Sequence, residues 1–437
     1  QVMGYNYIKH GSTDEHHQKF PWQPGVGTEE TTTQGTRGVY FTDAELAHSA
    51  PVLEGSSGGN AERGLQHYAT RPYLAGLFYW TGFDYRGESN PFGFPAISSQ
   101  FGILDTCGFP KDTFYYLKSW WREEPMLALA PHWNFQGREG EPIEVRALTN
   151  AAEAELFLDG KSLGRKPVER YGHAAWSVPY APGTLSAKGY VDGAARLEAK
   201  VETTGAPSAL RLEADRTTVL ADGRDLAVVT VSALDREGRP VPIADAPIEF
   251  AVTGGRILGV GNGDPSSHEP DRIVSQGMLP FVDFREQKTP SGIRYEAALT
   301  LRELPKDAKF RLFLRYFGAR SQVSLNGRAL GSFDMQSDTP PPPLELSRDA
   351  LRDGKNALTV VATPYENGRA RERAQKGPPA VLRIDALPHW RRRLFNGLAQ
   401  VIVQSTDEPG PMGLRATSPG LAPAELTLTA SGALGKN

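Results

Sequence analysis

The chain has 437 residues, a formal net charge of -3 and one cysteine, Cys107. Its length asks for several separate cores, and its interspersed charges leave no electrostatic footprint for nucleic acid or an anionic membrane surface. A single thiol excludes an intrachain disulfide and a cysteine zinc cage, no apolar run approaches a membrane span, and 46 glycines with 34 prolines favour short strands over helical bundles.

Residues 1–124 are rich in aromatics, and three apolar segments there read as buried strands: Val2-Met3-Gly4-Tyr5-Asn6-Tyr7, Gly25-Val26-Gly27-Thr28-Glu29, and Leu74-Ala75-Gly76-Leu77-Phe78-Tyr79-Trp80. His10, His16 and His17 fall in a polar connection and read as surface residues. A helix is expected over residues 61–68, closed by Arg71-Pro72. A second is expected over 112–122, with Phe114, Leu117 and Trp121 on one face at helical spacing. Strand, connection and helix in repetition is the pattern of parallel α/β architecture. With polar residues at the strand ends it fits the last portion of a (β/α)8 TIM barrel, whose active sites sit at that face.

From Pro125 the texture changes to short alternating strands separated by turn residues, such as Ala154-Glu155-Leu156-Phe157-Leu158 before Asp159-Gly160. Residues 125–205 read as one immunoglobulin-like β-sandwich. A second begins at 206 and breaks off near 270 a few strands short. Segments at 397–404 and 424–430 have the length and alternation to complete it, so it is expected to be split over 206–270 and 389–437. Residues 271–388 are then an inserted jelly roll, galactose-binding-like. Phe281, Phe284, Tyr316 and Tyr365 are the insert's candidates for stacking on sugar, with core packing as the ordinary fate of such rings. The run Pro340-Pro341-Pro342-Pro343 reads as a stiff connection, Arg391-Arg392-Arg393 as a solvated joint, and Asn262, Asp264 and Glu269 as turn chemistry. The expected whole is a multidomain, mainly β chain.

The stretch with the most chemistry is Gly25-Val26-Gly27-Thr28-Glu29-Glu30-Thr31-Thr32-Thr33. Side chains alternate across a strand, so Glu29 and Glu30 cannot both enter one pocket. Glycoside hydrolysis needs a carboxylate beside an oxocarbenium-like centre. Glu29, with Tyr7 and Trp80 at the ends of two other strands, would supply that carboxylate, a phenol to bind it and an aromatic wall. An ordinary solvated acid pair is the alternative, and an unpaired carboxylate does not complete the mechanism.

Residues 1–122 resemble the end of the catalytic barrel of glycoside hydrolase family 2, the β-galactosidase and β-glucuronidase family, in its bacterial branch with extended C-terminal domains. The resemblance is carried by Val2-Met3-Gly4-Tyr5-Asn6-Tyr7, by Gly27-Thr28-Glu29 with Arg37-Gly38-Val39-Tyr40, and by Trp80-Thr81-Gly82-Phe83-Asp84-Tyr85-Arg86-Gly87-Glu88. It continues in Ser98-Ser99-Gln100-Phe101-Gly102-Ile103-Leu104-Asp105 and Phe109-Pro110-Lys111-Asp112-Thr113-Phe114-Tyr115-Tyr116. Further on, Pro131-His132-Trp133-Asn134 resembles the first accessory sandwich of that branch, and Phe395-Asn396-Gly397 the end of the second.

That resemblance implies that Glu29 is the nucleophile of a retaining mechanism at barrel strand seven and that Tyr7 orients it. It implies that Trp80 lines the sugar subsite, with Asn6, Asp84, Arg86 and Glu88 as further substrate-binding positions and Glu30 a neighbour behind. The family's acid/base, a Glu following an Asn on strand four, has no counterpart here. The chain is therefore expected to be the C-terminal part of a longer polypeptide, hydrolysing nothing by itself and poorly folded over 1–122 without its upstream portion. The implied activity is that of an exo-acting retaining β-glycosidase on β-linked oligosaccharide or polysaccharide, β-galactosidase before β-glucuronidase, with no cofactor and no metal. A non-catalytic carbohydrate-binding or structural module is the alternative from another class. A periplasmic or extracellular location is expected before a cytoplasmic one, and homo-oligomer formation stays open.

Overall fold

The computed structural model describes residues 1–8, 11–52, 61–269, 275–301, 308–315, 317–334, 342–363, 380–386 and 390–432. His10, Pro340, Pro341, Tyr316 and Tyr365 lie outside the described residues. The chain forms two compact units, Gln1–Glu269 with Trp390–Asn437, and Pro270–His389.

At the start of the first unit, strands β1 (Met3–Asn6), β2 (Gly25–Glu30) and β3 (Leu74–Tyr79) form a parallel sheet in the order β1-β2-β3. Helix α1 (Thr13–Lys19) joins the first two strands, α2 (Ala61–Ala69) precedes β3, and α3 (Asp112–Trp121) follows it. The first helix replaces the polar connection read from the sequence. Its signal is the Ser12-x-x-Glu15 start, where the Ser12 hydroxyl accepts from the Glu15 amide at 3.2 Å. Seven residues are too few to display an apolar stripe. His16 and His17 are packed side chains of this helix, the latter stacked on Tyr73 with ring centroids 3.8 Å apart.

The buried face of α3 only partly matches the face that Phe114, Leu117 and Trp121 share. Thr113, Tyr116 and Leu117 are buried, whereas Trp121 is 52% exposed. The reason is polar. Tyr116 donates its hydroxyl to the Tyr171 carbonyl at 2.5 Å, and Trp120 donates its indole N–H to the Gly172 carbonyl at 3.0 Å. Aromatic side chains with a polar tip bury well only where that tip finds a partner. The 171–172 turn provides two, and the helix rotates toward them.

Beyond α3, Leu127–Ala130, Pro142–Thr149 and Ala174–Pro179 form one antiparallel sheet. Ala194–Glu202, Thr184–Val191, Glu153–Leu158 and Lys161–Pro167 form another. Trp133, Val145, Leu156, Trp176 and Leu185 fill the core between them. Asp159 (φ 48) and Gly160 (φ 78) make the tight turn that the Asp-Gly pair predicts, both in the left-handed region.

The next strands pair across a long sequence gap. Leu398–Ser405 lies between Leu226–Leu234 and Gly255–Gly261, with Leu226 opposite Gln404 and Ser232 opposite Leu398. Leu421–Ser431, Gly410–Ser418, Pro247–Thr253 and Trp390–Arg393 continue the arrangement, and Val229, Val231, Ile248, Val401, Leu414 and Leu428 are buried among them. The basic run 391–393 is not uniformly solvated. Strand alternation turns its middle member inward: Arg392 is 2% exposed and donates to the Val260 carbonyl at 3.1 Å and the Ser267 hydroxyl at 2.9 Å. Its neighbours remain outside, paired with Glu249 and Asp245.

The second unit consists of two antiparallel sheets. Ser275–Pro280, Ala380–Ala386, Ala308–Leu314 and Leu344–Leu346 form one, and Val282–Thr289, Gly292–Leu301, Gly354–Ala362, Arg320–Leu325 and Arg328–Asp334 the other. Both contribute to one core of Phe310, Leu312, Leu325, Leu358 and Leu382. Phe281 is buried in that core and Phe284 packs against it, so both rings take the ordinary fate.

Candidate functional site

The parallel sheet brings three strand ends together. Asn6 lies opposite Glu29, and Glu30 opposite Tyr79. The Tyr7 amide donates to the Glu29 carbonyl and the Trp80 amide to the Glu30 carbonyl, both at 2.9 Å. Directly after these bonds the backbone leaves the strand conformation, with Tyr7 and Thr31 each at φ 61. Neither a bulky nor a β-branched residue adopts that region without cost. The turn at Tyr7 brings its phenol back over the neighbouring strand, where it donates to Glu29 Oε1 at 2.9 Å. Thr32 Oγ1 in turn donates to the Tyr7 oxygen at 2.9 Å. Burial raises the Tyr7 phenol above its ordinary range, and the Thr32 bond works against that rise.

The two adjacent carboxylates have different surroundings, as strand alternation requires. Glu29 is half-buried and meets Tyr7, while Glu30 is 1% exposed and accepts from the Tyr68 hydroxyl of α2 at 2.9 Å. Burial pushes the Glu30 carboxyl up, although the Tyr68 bond opposes it. Close contact with α2 depends on a glycine: a Cβ at Gly64 would collide with the Thr31 methyl. Thr33, two residues further, is buried and hydrogen-bonded to the Tyr79 hydroxyl and to Thr113.

The remaining predicted positions divide. Asn6 stands beside Glu29, its Oδ1 accepting from Thr28 Oγ1 at 2.6 Å. Trp80 is half-buried at the end of β3, its ring edge-on to Tyr85 with centroids 6.0 Å apart. Tyr85 donates to Glu88 Oε2 at 2.5 Å, and Asn90 reaches the other oxygen at 3.4 Å, which fixes this exposed carboxylate on the loop. Arg86 is exposed on the same loop, its backbone bridged to Ser98. Asp84 is instead turned into the protein. It is buried, ion-paired with Lys111 at 2.6 Å and bonded by the Gly102 amide at 2.8 Å. Burial pushes its carboxyl to about 6 even with Lys111 pulling it down. Such a group braces the loop.

Sequence reasoning passes over Thr32, Thr33, Tyr68 and Lys111, since only their partners' positions in space reveal them. It also misses how the loop after β2 is anchored. Arg37 is buried, and its guanidinium donates to Asp105 Oδ2 at 2.6 Å and to the carbonyls of Asn262, Phe395 and Asn396 at 2.7, 2.7 and 3.0 Å. The Asn396 amide returns a bond to the Arg37 carbonyl at 2.7 Å. Further along, a cleft of about 280 Å³ is bounded by Tyr40, Phe41, Asp112, Ile143, Glu144 and Arg146. The Tyr40 hydroxyl donates to Asp112 Oδ1 at 3.0 Å, while Oδ2 is shielded and has no hydrogen-bond partner among the described residues, and burial pushes this carboxyl to about 6.

Comparison with known proteins gives two matching family models. Glycoside hydrolase family 2 C-terminal domain 5 covers residues 210–279, and a domain of unknown function (DUF4982) covers 140–196. The chain is similar to the β-galactosidase BoGH2A of Bacteroides ovatus, 38% identical over 290 residues, covering 61% of this chain and 34% of that protein. It is also similar to a β-glucuronidase of Formosa agariphila, 33% identical over 226 residues, covering 48% of this chain and 23% of that protein. The chain therefore spans about a third or less of the length of these relatives. Among solved structures, a β-glycosidase from Bacteroides vulgatus superposes with a TM-score of 0.66 at 22% identity, over 98% of this chain and 45% of that one.

Proposed function

We propose, from the premise that this chain belongs to glycoside hydrolase family 2, that it carries the nucleophile half of a retaining exo-β-glycosidase. The observation that carries this reading is the 2.9 Å bond from the Tyr7 phenol to Glu29 Oε1, made at the adjoining ends of two parallel strands. Tyr7 occupies Oε1, and among the described residues none is bonded to Oε2, so Oε2 is the atom assigned to attack. Its electron pair forms a bond to the anomeric carbon as the glycosidic C–O bond breaks, and the departing oxygen takes a proton from an acid supplied outside this chain. Water, deprotonated by the same group, then releases the sugar and regenerates the carboxylate. Trp80 and Asn6 are assigned to the sugar subsite, with Arg86 and Glu88 at its rim. Asp84 and its Lys111 partner support the loop that bears them.

The same premise extends to architecture. The parallel sheet with α2 and α3 is read as the last three strands of a TIM barrel, 1–124. Residues 125–205 are read as an immunoglobulin-like sandwich, and 206–270 with 389–437 as a second one. Residues 271–388 are an inserted jelly roll, a candidate carbohydrate-binding module. A β-galactoside is the substrate proposed first, because BoGH2A is named a β-galactosidase, and a β-glucuronide second, because the Formosa protein is named a β-glucuronidase.

Incubation of the full-length polypeptide with 2-deoxy-2-fluoro-β-galactosyl and β-glucuronyl fluorides, followed by peptide mapping, tests the reading. A covalent adduct on Glu29 is expected. An adduct on any other residue would sink it.

A further inference from the structure

The three threonines after Glu30 are held unequally, and the middle one faces the site. Thr31 sits at φ 61 with its methyl against the Gly64 backbone of α2. Thr33 is tied to Tyr79 at the end of β3 and to Thr113 of α3. A β-branched residue in the left-handed region persists only where its surroundings over-determine it, and here a helix contact on one side and a buried hydroxyl network on the other do so. Thr32, clamped between these two anchors, points its hydroxyl at the Tyr7 oxygen at 2.9 Å.

We propose that Thr32 is a positioning residue that sets the direction of the Tyr7 proton and so holds Glu29 Oε1. A phenol has one proton, and the Glu29 and Thr32 oxygens both lie within its reach. With the Thr32 hydroxyl hydrogen directed at the Tyr7 oxygen, that single proton is directed to Glu29, 2.9 Å away. The donation from Thr32 also polarises the phenol, which makes it a stronger donor to the carboxylate. This matters most when the glycosyl-enzyme breaks down, because negative charge then returns to the Glu29 carboxyl and the Tyr7 bond strengthens with it. The Thr32 hydroxyl is bonded to Tyr7 and not to Glu29, so its effect on the nucleophile passes through Tyr7. The inference rests on the reading of Glu29 as the nucleophile.

The test is a double-mutant cycle in the full-length polypeptide, following formation and breakdown of the 2-fluoroglycosyl adduct on Glu29. Thr32→Val keeps the shape and removes the hydroxyl, Thr32→Ser keeps the hydroxyl, and Tyr7→Phe removes the relay. Thr32→Val should slow breakdown by roughly 3- to 10-fold, the worth of one neutral hydrogen bond, and Thr32→Ser should recover most of that loss. In the Tyr7→Phe background Thr32→Val should cost nothing further. An equal loss from Thr32→Val with and without the Tyr7 hydroxyl would mean a merely structural role and overturns the inference alone. Absence of any adduct on wild-type Glu29 overturns the nucleophile assignment and this inference with it.

Discussion

Replacing Arg37 with methionine tests how the loop after β2 is held. Methionine retains most of the apolar stem but removes the donor to Asp105, which is fully buried, and the donors to three main-chain carbonyls. The Cys107 and Phe109 amides still bond the Asp105 carboxylate, at 2.8 and 3.0 Å. Breaking a buried ion pair by removing one partner costs about 3–5 kcal/mol, and those two amides place this case near the lower end, at about 3 kcal/mol. Hydrogen exchange reads such a loss locally, where a multidomain melting curve does not. The amides of Thr36, Asp43 and His48, all hydrogen-bonded within this loop, should exchange on the order of 100-fold faster in R37M. Asp105→Asn on top of R37M keeps the acceptor for both amides, removes the stranded charge and should recover at least about half of the loss. Exchange altered by less than about 5-fold, or a double variant as costly as the sum of the singles, would refute the picture of a buried ionic anchor.

Two further outcomes follow from the same structure. Asp112 is ordinarily a 3.8 acid, and burial raises it to about 6 in the folded chain. The folded state therefore holds this proton more tightly, and the stability it contributes is present below about 3.8 and lost as pH rises through 6, by at most about 3 kcal/mol. Asp112→Asn keeps the acceptor for Tyr40 and should slow hydrogen exchange of the α3 amides at pH 8 but not at pH 4, after correction for the intrinsic pH dependence of exchange; equal effects at both would contradict the burial argument. Gly64→Ala, normally favourable in a helix by about 1 kcal/mol, should instead destabilise by about 1–3 kcal/mol through its clash with the Thr31 methyl. Hydrogen exchange of the α2 amides reads this loss; Thr31→Ser removes that methyl and should restore protection, and a Gly64→Ala single variant as protected as the parent would show the clash to be absent.

Alternating apolar residues and turn residues make most strands legible, because a two-residue period and an Asp-Gly dipeptide such as Asp159-Gly160 are local signals. The Glu29–Glu30 stretch was legible for the same reason: alternation alone separates a presented acid from a buried one. What local pattern could not carry was anything decided by a distant partner. The rotation of α3 follows two carbonyls at 171–172, the burial of Arg392 follows a carbonyl at Val260, and Asp84 turns inward because Lys111 waits there. Thr32 belongs to this second class. Nothing in a run of three threonines marks the middle one, and only the left-handed turn at Thr31 aims it.

The pairing of Leu398–Ser405 with Leu226–Leu234 and Gly255–Gly261 bears on the order in which a growing chain can fold. On a ribosome the earlier strands emerge with an open edge and a missing neighbour, and they wait for more than a hundred residues of intervening chain. Those intervening residues build their own two sheets and can close first, since domains generally fold as units while synthesis proceeds. Arg37 waits longer still: two of its carbonyl partners lie 358 and 359 residues downstream. The loop after β2 thus takes up its last anchors only when residues 395 and 396 arrive, and a chain stopped before them would hold Arg37 by Asp105 and the Asn262 carbonyl alone.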